Sequence, residues 1–177
     1  VVTDVSVFID LHRLSLRGLG DVTSVEYMVK AAAATVRAAI ARSHRVQVFA
    51  LTSRPDHIPL GGGWPHLLTV LDRMTLYRAS GEHDFPEEVV RRIALLPRGG
   101  TVVWILSATN FDLRRCGPLA ERLIGDHMKL IVIVVDDRSF IKLFLEQEAM
   151  HTEAPQLRTI VGELKRLGCR VITAASG

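Results

Sequence analysis

At 177 residues the chain is long enough for one α/β domain with a sizeable core and too short for two. Hydrophobic residues make up 48% and mean hydropathy is +0.23; this suits a sheet covered on both faces or a surface that meets a partner, yet no apolar run reaches the ~18 residues of a membrane span. A net charge of +3 with 6% aromatics offers no basic stripe with interleaved aromatics, which argues against nucleic-acid binding.

The chain opens at Val1 without an initiator Met, which reads as a processed or excised piece, and nothing at its start resembles a signal peptide. Val5-Ser6-Val7-Phe8-Ile9-Asp10-Leu11-His12 is a short apolar run ending at a carboxylate, the pattern of a strand buried on both faces. A polar, Gly-containing loop follows. Thr23-Ser24-Val25-Glu26 is a capping box, and Val25, Met28, Ala32, Thr35, Val36, Ala39 and Ile40 then recur at helical spacing towards Ser43.

Arg45 to Thr52 is the second strand, stopped by Pro55. Asp56-His57-Ile58-Pro59-Leu60 suits a short edge strand, where proline is tolerated. Gly61-Gly62-Gly63 and Trp64-Pro65 open a helix whose buried face is predicted as Trp64, Leu67, Leu68, Leu71 and Met74. Asp84-Phe85-Pro86-Glu87 caps a third helix, with Val89, Val90, Ile93 and Leu96 as its stripe and Pro97 and Gly99-Gly100 as its stop.

Thr101 to Leu106 is a doubly buried strand that leaves into Ser107-Ala108-Thr109-Asn110-Phe111-Asp112. A helix near Pro118 to Asp126 leads to Leu130 to Val135, the most apolar run, which ends in Asp136-Asp137. Arg138 to Ala149 fits either a short helix or a lid-like loop. Leu157, Ile160, Val161, Leu164 and Leu167 define the last helix, Gly168 stops it, and Cys169 to Thr173 is a final strand. Strands alternating with helices imply right-handed βαβ units and a mainly parallel sheet.

Several residues invite a chemical reading. Asp10 at a strand end is either a metal or catalytic carboxylate or a plain loop cap. His12, two residues on, shares its face and suggests acid–base work or the ordering of a loop. The triple glycine could cradle a phosphate but lacks the Lys-Ser/Thr of a P-loop and the spacing of a dinucleotide fold, so a turn after an edge strand fits better. His66 in the first helical turn is expected to face solvent. Asp136 and Asp137 are either carboxylates for a metal or an N-cap for a segment starting at Ser139. Cys116 and Cys169 follow no ligand spacing and read as buried thiols of a reduced compartment.

The order of these pieces resembles a bacterial family called "domain of unknown function fifty-eight". The resemblance rests on the apolar strand ending in Asp10, on Ser24-Val25-Glu26-Tyr27, His44-Arg45-Val46, Pro59-Leu60-Gly61-Gly62-Gly63 and His66-Leu67-Leu68. Leu96-Pro97-Arg98-Gly99 and Val135-Asp136-Asp137-Arg138-Ser139-Phe140 extend it, so that it runs from about Val5 to Ala174. It implies one von Willebrand factor A-like domain over residues 1–177: a three-layer, doubly wound (von Willebrand A / Rossmann-like), mainly parallel sheet with a short antiparallel edge strand. It also implies a cytoplasmic domain of a larger, inner-membrane-anchored protein, working with an AAA+ ATPase or another von Willebrand A protein in assembly or chaperoning.

The von Willebrand A metal site uses Asp-x-Ser-x-Ser at the first strand's exit, with a Thr and a second Asp from later loops, around a cation that wants oxygen ligands. Asp10 is the only matched ligand position. His12 and Leu14 stand at the two Ser positions, Ser80 to Asp84 contains no Thr, and Ser107-Ala108-Thr109-Asn110 stands where the second Asp is expected. The resemblance therefore implies a degenerate metal site and no cofactor, with Asp112 the remaining carboxylate that would approach the rim. The expected binding rim is Asp10, His12, Ser107, Thr109, Asn110, Asp112, Asp136 and Asp137, facing a protein partner. Two alternatives are a small-molecule or nucleotide-binding α/β enzyme at the same rim, and a divalent-cation-dependent adhesion module.

Overall fold

The computed structural model describes residues 2–19, 22–137, 140 and 154–175. Its organising strand is β1 (Asp4–Ile9). Val5, Val7 and Ile9 point to one face of the sheet and Phe8 to the other, and all four are buried. A strand with two apolar faces has to sit inside a sheet with layers on both sides. It does: β1 pairs in parallel with β4 (Arg45–Ala50) on one side and with β6 (Thr101–Ser107) on the other, Val7 lying opposite both Val48 and Val103. Between β1 and β4 lie a small antiparallel hairpin, β2 (Gly18–Leu19) with β3 (Val22–Thr23), and helix α1 (Ser24–Ala41). The loop expected after the first strand thus contains that hairpin.

The sheet has six strands in the order β5-β4-β1-β6-β7-β8, where β5 is Asp56–Gly61, β7 Lys129–Asp136 and β8 Arg170–Ala175. All neighbours are parallel except β4 and β5, so the proline-containing segment is an antiparallel edge strand. Helices α1 and α2 (Gly63–Met74) cover one face. Helices α3 (Phe85–Arg92), α4 (Leu113–Gly125) and α5 (Ala154–Arg166) cover the other. The chain runs from β1 outward to β4 and β5, then crosses back to β6. Strand order therefore reverses between β1 and β6, and the crevice outside their carboxyl ends is where open α/β sheets bind ligands.

The cap of α1 forms on the predicted residue: the Thr23 hydroxyl accepts the Glu26 N–H at 3.2 Å. Four local readings need correction. The buried arc of α2 is Leu67, Val70 and Met74; Trp64 and Leu68 are 66% and 50% exposed, because the sheet ends at β5 and offers the helix only a narrow seat. In α3 Val89 is buried while Val90 is exposed, and Asp84 precedes the helix without a side-chain cap because its carboxylate pairs with Arg115. Helix α4 starts five residues before Pro118, since Asp112 caps it by accepting the Arg114 N–H at 2.9 Å. His66 is half-buried rather than solvent-facing, its Nε2 bonded to the Val46 carbonyl at 2.8 Å. A Cβ on Gly61 would lie 2.4 Å from the His66 ring, so the first glycine of the triplet is what lets that ring approach β4. The reading of Arg138 to Ala149 as helix or lid, and of an N-cap at Ser139, lies outside the described residues apart from Phe140, whose ring packs edge-on against Tyr27 at 4.7 Å.

Candidate functional site

The site is built on the exit of β1. The Asp10 N–H still follows the sheet and bonds to the Ile105 carbonyl of β6 at 2.9 Å, which plants the residue between the two strands where order reverses. The chain then turns through a 3₁₀ helix at Arg13–Ser15. That turn folds the backbone back over the Asp10 carboxylate, which is 1% exposed. Three donors reach it. The His12 N–H donates to Oδ1 at 3.2 Å; the Ser15 hydroxyl and the Asn110 amide donate to Oδ2 at 3.1 and 3.3 Å. Burial pushes the Asp10 pKa up, and the Asn110, His12 and Ser15 hydrogen bonds oppose that shift.

His12 is buried and caps the turn: its Nδ1 accepts the Leu14 N–H at 3.1 Å. Its backbone forms a parallel bridge with Gly81, in which the Gly81 N–H bonds to the Leu11 carbonyl at 2.8 Å and the Arg13 N–H to the Gly81 carbonyl at 3.0 Å. Gly81 is required by close approach, since a Cβ there would lie 2.3 Å from the Leu51 carbonyl oxygen. Ser24 locks the turn from the other side. Its hydroxyl donates to the Ser15 carbonyl at 2.6 Å and accepts the Arg17 N–H at 2.8 Å.

Two more loops complete the rim. Ser107 closes β6 fully buried and accepts the Asn110 N–H at 3.1 Å, which aims the Asn110 amide at Asp10. Thr109 is exposed, and its N–H donates to Asp137 Oδ1 at 3.0 Å. Asp137 is fully buried, its Oδ2 has no hydrogen-bond partner among the described residues, and burial pushes its pKa up. Asp136, at the end of β7, is half-buried. Asp112 is exposed and committed to its own helix. The structure thus gathers Asp10, Ser107 and Asn110 into one cluster and Thr109 with Asp137 into a second, with His12 joined to the first through its backbone.

Ser15, Ser24 and Gly81 belong to the site and were not singled out by sequence. Ser15 stands five residues after Asp10, one beyond the spacing of the von Willebrand A motif; the 3₁₀ turn is what returns its hydroxyl to the carboxylate. Beside the cluster Leu14, Leu16 and Val22 are exposed, interleaved with Arg13 and Arg17. Both cysteines are buried free thiols, and burial raises the Cys116 thiol to about 12 and the Cys169 thiol to about 11. Among the described residues no three His, Cys, Asp or Glu side chains are grouped to hold a metal ion.

No family model matches the chain, and no curated protein matches it in sequence. Solved structures do match. A conserved hypothetical protein BatB from Bacteroides thetaiotaomicron is 10% identical with a TM-score of 0.64, over 98% of this chain and 90% of that one. An aerotolerance-related membrane protein from Bacteroides fragilis is 8% identical with a TM-score of 0.63, over 99% and 92%. A manganese-loaded TRAP protein from Plasmodium vivax is 16% identical with a TM-score of 0.52, over 96% and 74%. At such identities the likeness speaks for architecture alone, and the architecture is von Willebrand factor A-like.

Proposed function

We propose that the chain is a protein-interaction domain whose switch-point rim engages its partner without a divalent cation. The observation that carries this is the state of Asp10. Its carboxylate is buried and turned to three hydrogen-bond donors. A hard cation needs converging lone pairs from several oxygens; of the three groups that face Asp10 the His12 N–H has none to offer, the Asn110 group presents its amide N–H, and only the Ser15 hydroxyl could turn a lone pair towards an ion. The residues therefore do not fit the cation that a von Willebrand A metal site would hold. The exposed Leu14, Leu16 and Val22 beside this cluster supply the apolar contact area of a protein interface.

The resemblance to the "domain of unknown function fifty-eight" family supports a partner of the AAA+ ATPase class or a second von Willebrand A protein. It also supports a place on the cytoplasmic side of a membrane, where such an ATPase meets its nucleotide. Within the described residues no helix is long and apolar enough to cross a membrane. The test is a double variant, Leu14→Asp with Leu16→Asp, assayed for binding to a purified AAA+ ATPase and to a second von Willebrand A protein from the same organism. Both side chains are exposed, so the melting temperature is expected to hold while binding is lost. Unchanged binding would contradict the proposed rim, and so would binding that requires both Asp10 and an added divalent cation.

A further inference from the structure

A second polar site lies at the β5 edge of the sheet, the side remote from β7 and β8. A pocket of about 500 Å³ opens where β4 gives way to β5, between that turn and the end of α2. The turn is fixed locally: the Thr52 hydroxyl donates to the Arg54 carbonyl at 2.7 Å, and Pro55 then sets the entry to β5. The opposite side is fixed by Gly81, whose backbone bridge to His12 anchors the preceding Ser80.

The charge in this pocket does not cancel. Arg54, Arg73 and Arg78 line it, and Asp56 is the one carboxylate among the described lining residues. Both Asp56 oxygens are committed: Oδ1 accepts from Arg73, and Oδ2 accepts from the Tyr77 hydroxyl at 2.8 Å. Burial pushes the Tyr77 pKa up and the Asp56 bond adds to the shift, so the phenol remains a donor to that carboxylate. Asp56 and Arg73 thus neutralise each other and leave Arg54 and Arg78 as two uncompensated cations. Arg78 is pinned only by neutral groups, its Nη1 donating to the Thr75 and Tyr77 carbonyls at 3.0 and 2.8 Å. The Arg54 guanidinium has no ion pair or hydrogen bond among the described residues.

A spare hydroxyl proton accompanies these cations. The Ser80 Oγ accepts the Ser53 N–H at 3.2 Å and lies 3.4 Å from the Ser53 Oγ. Two hydroxyls joined by one hydrogen bond have one proton left over, and no acceptor among the described residues takes it. Two guanidinium groups and a hydroxyl proton call for an anion with several oxygens. A carboxylate would bring one negative charge, whereas a phosphate monoester brings about two at pH 7 and balances both cations. Leu76, also in the lining, is 74% exposed and offers an apolar seat for the group that carries the phosphate. A walled pocket of this volume has the size of a small-molecule site.

We propose that this pocket binds a small phosphate monoester, its oxygens on Arg54, Arg78 and the Ser53–Ser80 hydroxyl pair and its organic part on Leu76. The probe is phenyl phosphate, titrated calorimetrically into the intact chain, with benzoate as the carboxylate control and inorganic phosphate as the control without a ring. Phenyl phosphate is expected to bind, and benzoate about tenfold or more weakly. Arg54→Glu should abolish binding, and Leu76→Ser should reduce the affinity for phenyl phosphate to that for inorganic phosphate. Both side chains are exposed, so both variants should keep the wild-type melting temperature. The Leu14→Asp, Leu16→Asp double variant should bind phenyl phosphate as the wild type does, which separates this site from the rim.

No binding of phenyl phosphate, equal binding of benzoate, or an affinity that Arg54→Glu leaves unchanged overturns the proposal. So does binding of a phosphoserine peptide or of phosphatidic acid vesicles about tenfold or more tighter than phenyl phosphate and lost in Arg54→Glu, since the pocket would then serve a macromolecule.

Discussion

Asp10 accepts three hydrogen bonds. Truncation to alanine strands a backbone N–H, a hydroxyl and an amide in a buried site, and leaving buried donors unpaired costs more than the bonds themselves are worth. Asp10→Ala should therefore lower stability by about 3 kcal/mol, summed over three partly compensated donors. Asp10→Asn keeps one oxygen for the His12 N–H, and the Ser15 hydroxyl can rotate to accept from the new amide, so its cost should be about 1 kcal/mol. Urea denaturation with an unchanged m-value measures the difference; equal losses in the two variants would contradict the assigned bonds. At this scale the sequence was only partly legible. Asp10 was visible as a carboxylate ending an apolar strand. Ser15 was not, because a motif read at fixed spacing assumes an extended exit from β1, and the 3₁₀ turn at Arg13–Ser15 changes which residue returns to the strand end. Nor could any local pattern show that Asn110, a hundred residues away, turns its amide rather than a carboxylate towards Asp10.

Among the elements, the loops that hold the site are tied together by backbone pairing as well as by side chains. The bridge between His12 and Gly81 ties the exit of β1 to the segment before α3, and it exists because Gly81 has no Cβ to strike the Leu51 carbonyl. Gly81→Ala has no flexible neighbour that can yield, only backbone atoms. It should cost about 2–3 kcal/mol, at the upper end of ordinary single substitutions. Thermal unfolding checks this, and a loss below about 0.5 kcal/mol, the size of an ordinary surface substitution, would show that the bridge does not hold the rim. The elements themselves were more legible than their ends. Apolar runs placed β1, β4, β6 and β7 because a strand buried on both faces has few polar positions to confuse the reading; Ser6 and Gln47, buried in β1 and β4, satisfy each other by a 2.8 Å hydrogen bond. The start of α4 was misplaced because proline favours a first helical turn. Here Asp112 caps the helix earlier and Pro118 sits inside it, leaving the Arg114 carbonyl without the N–H that would bond to it. The stripe of α2 was read too wide because periodicity marks which residues are apolar, not how much sheet lies beneath them; at an edge strand only a narrow arc is covered.

For the molecule as a whole, the alternation of strands and helices carried the fold class, and the strand order then placed the exit of β1 at the reversal point. The apolar composition has a physical counterpart as well. The four inner strands β1, β4, β6 and β7 are buried on two faces over most of their length. Exposed apolar residues collect beside the rim at Leu14, Leu16 and Val22.

The most direct measurement is thermal unfolding of the wild-type chain and of Asp10→Ala in millimolar Mg²⁺, Mn²⁺ or Ca²⁺ against a chelator. A cation that binds only the folded state at a hundredfold its Kd adds about 2.7 kcal/mol, a rise of roughly 5–10 °C for a chain of this size. The expected result is no metal-dependent shift in either protein, because the Asp10 carboxylate already faces three donors. A rise in the wild type that disappears in Asp10→Ala would show instead that the carboxylate opens to a cation, and that partner binding at this rim is gated by metal.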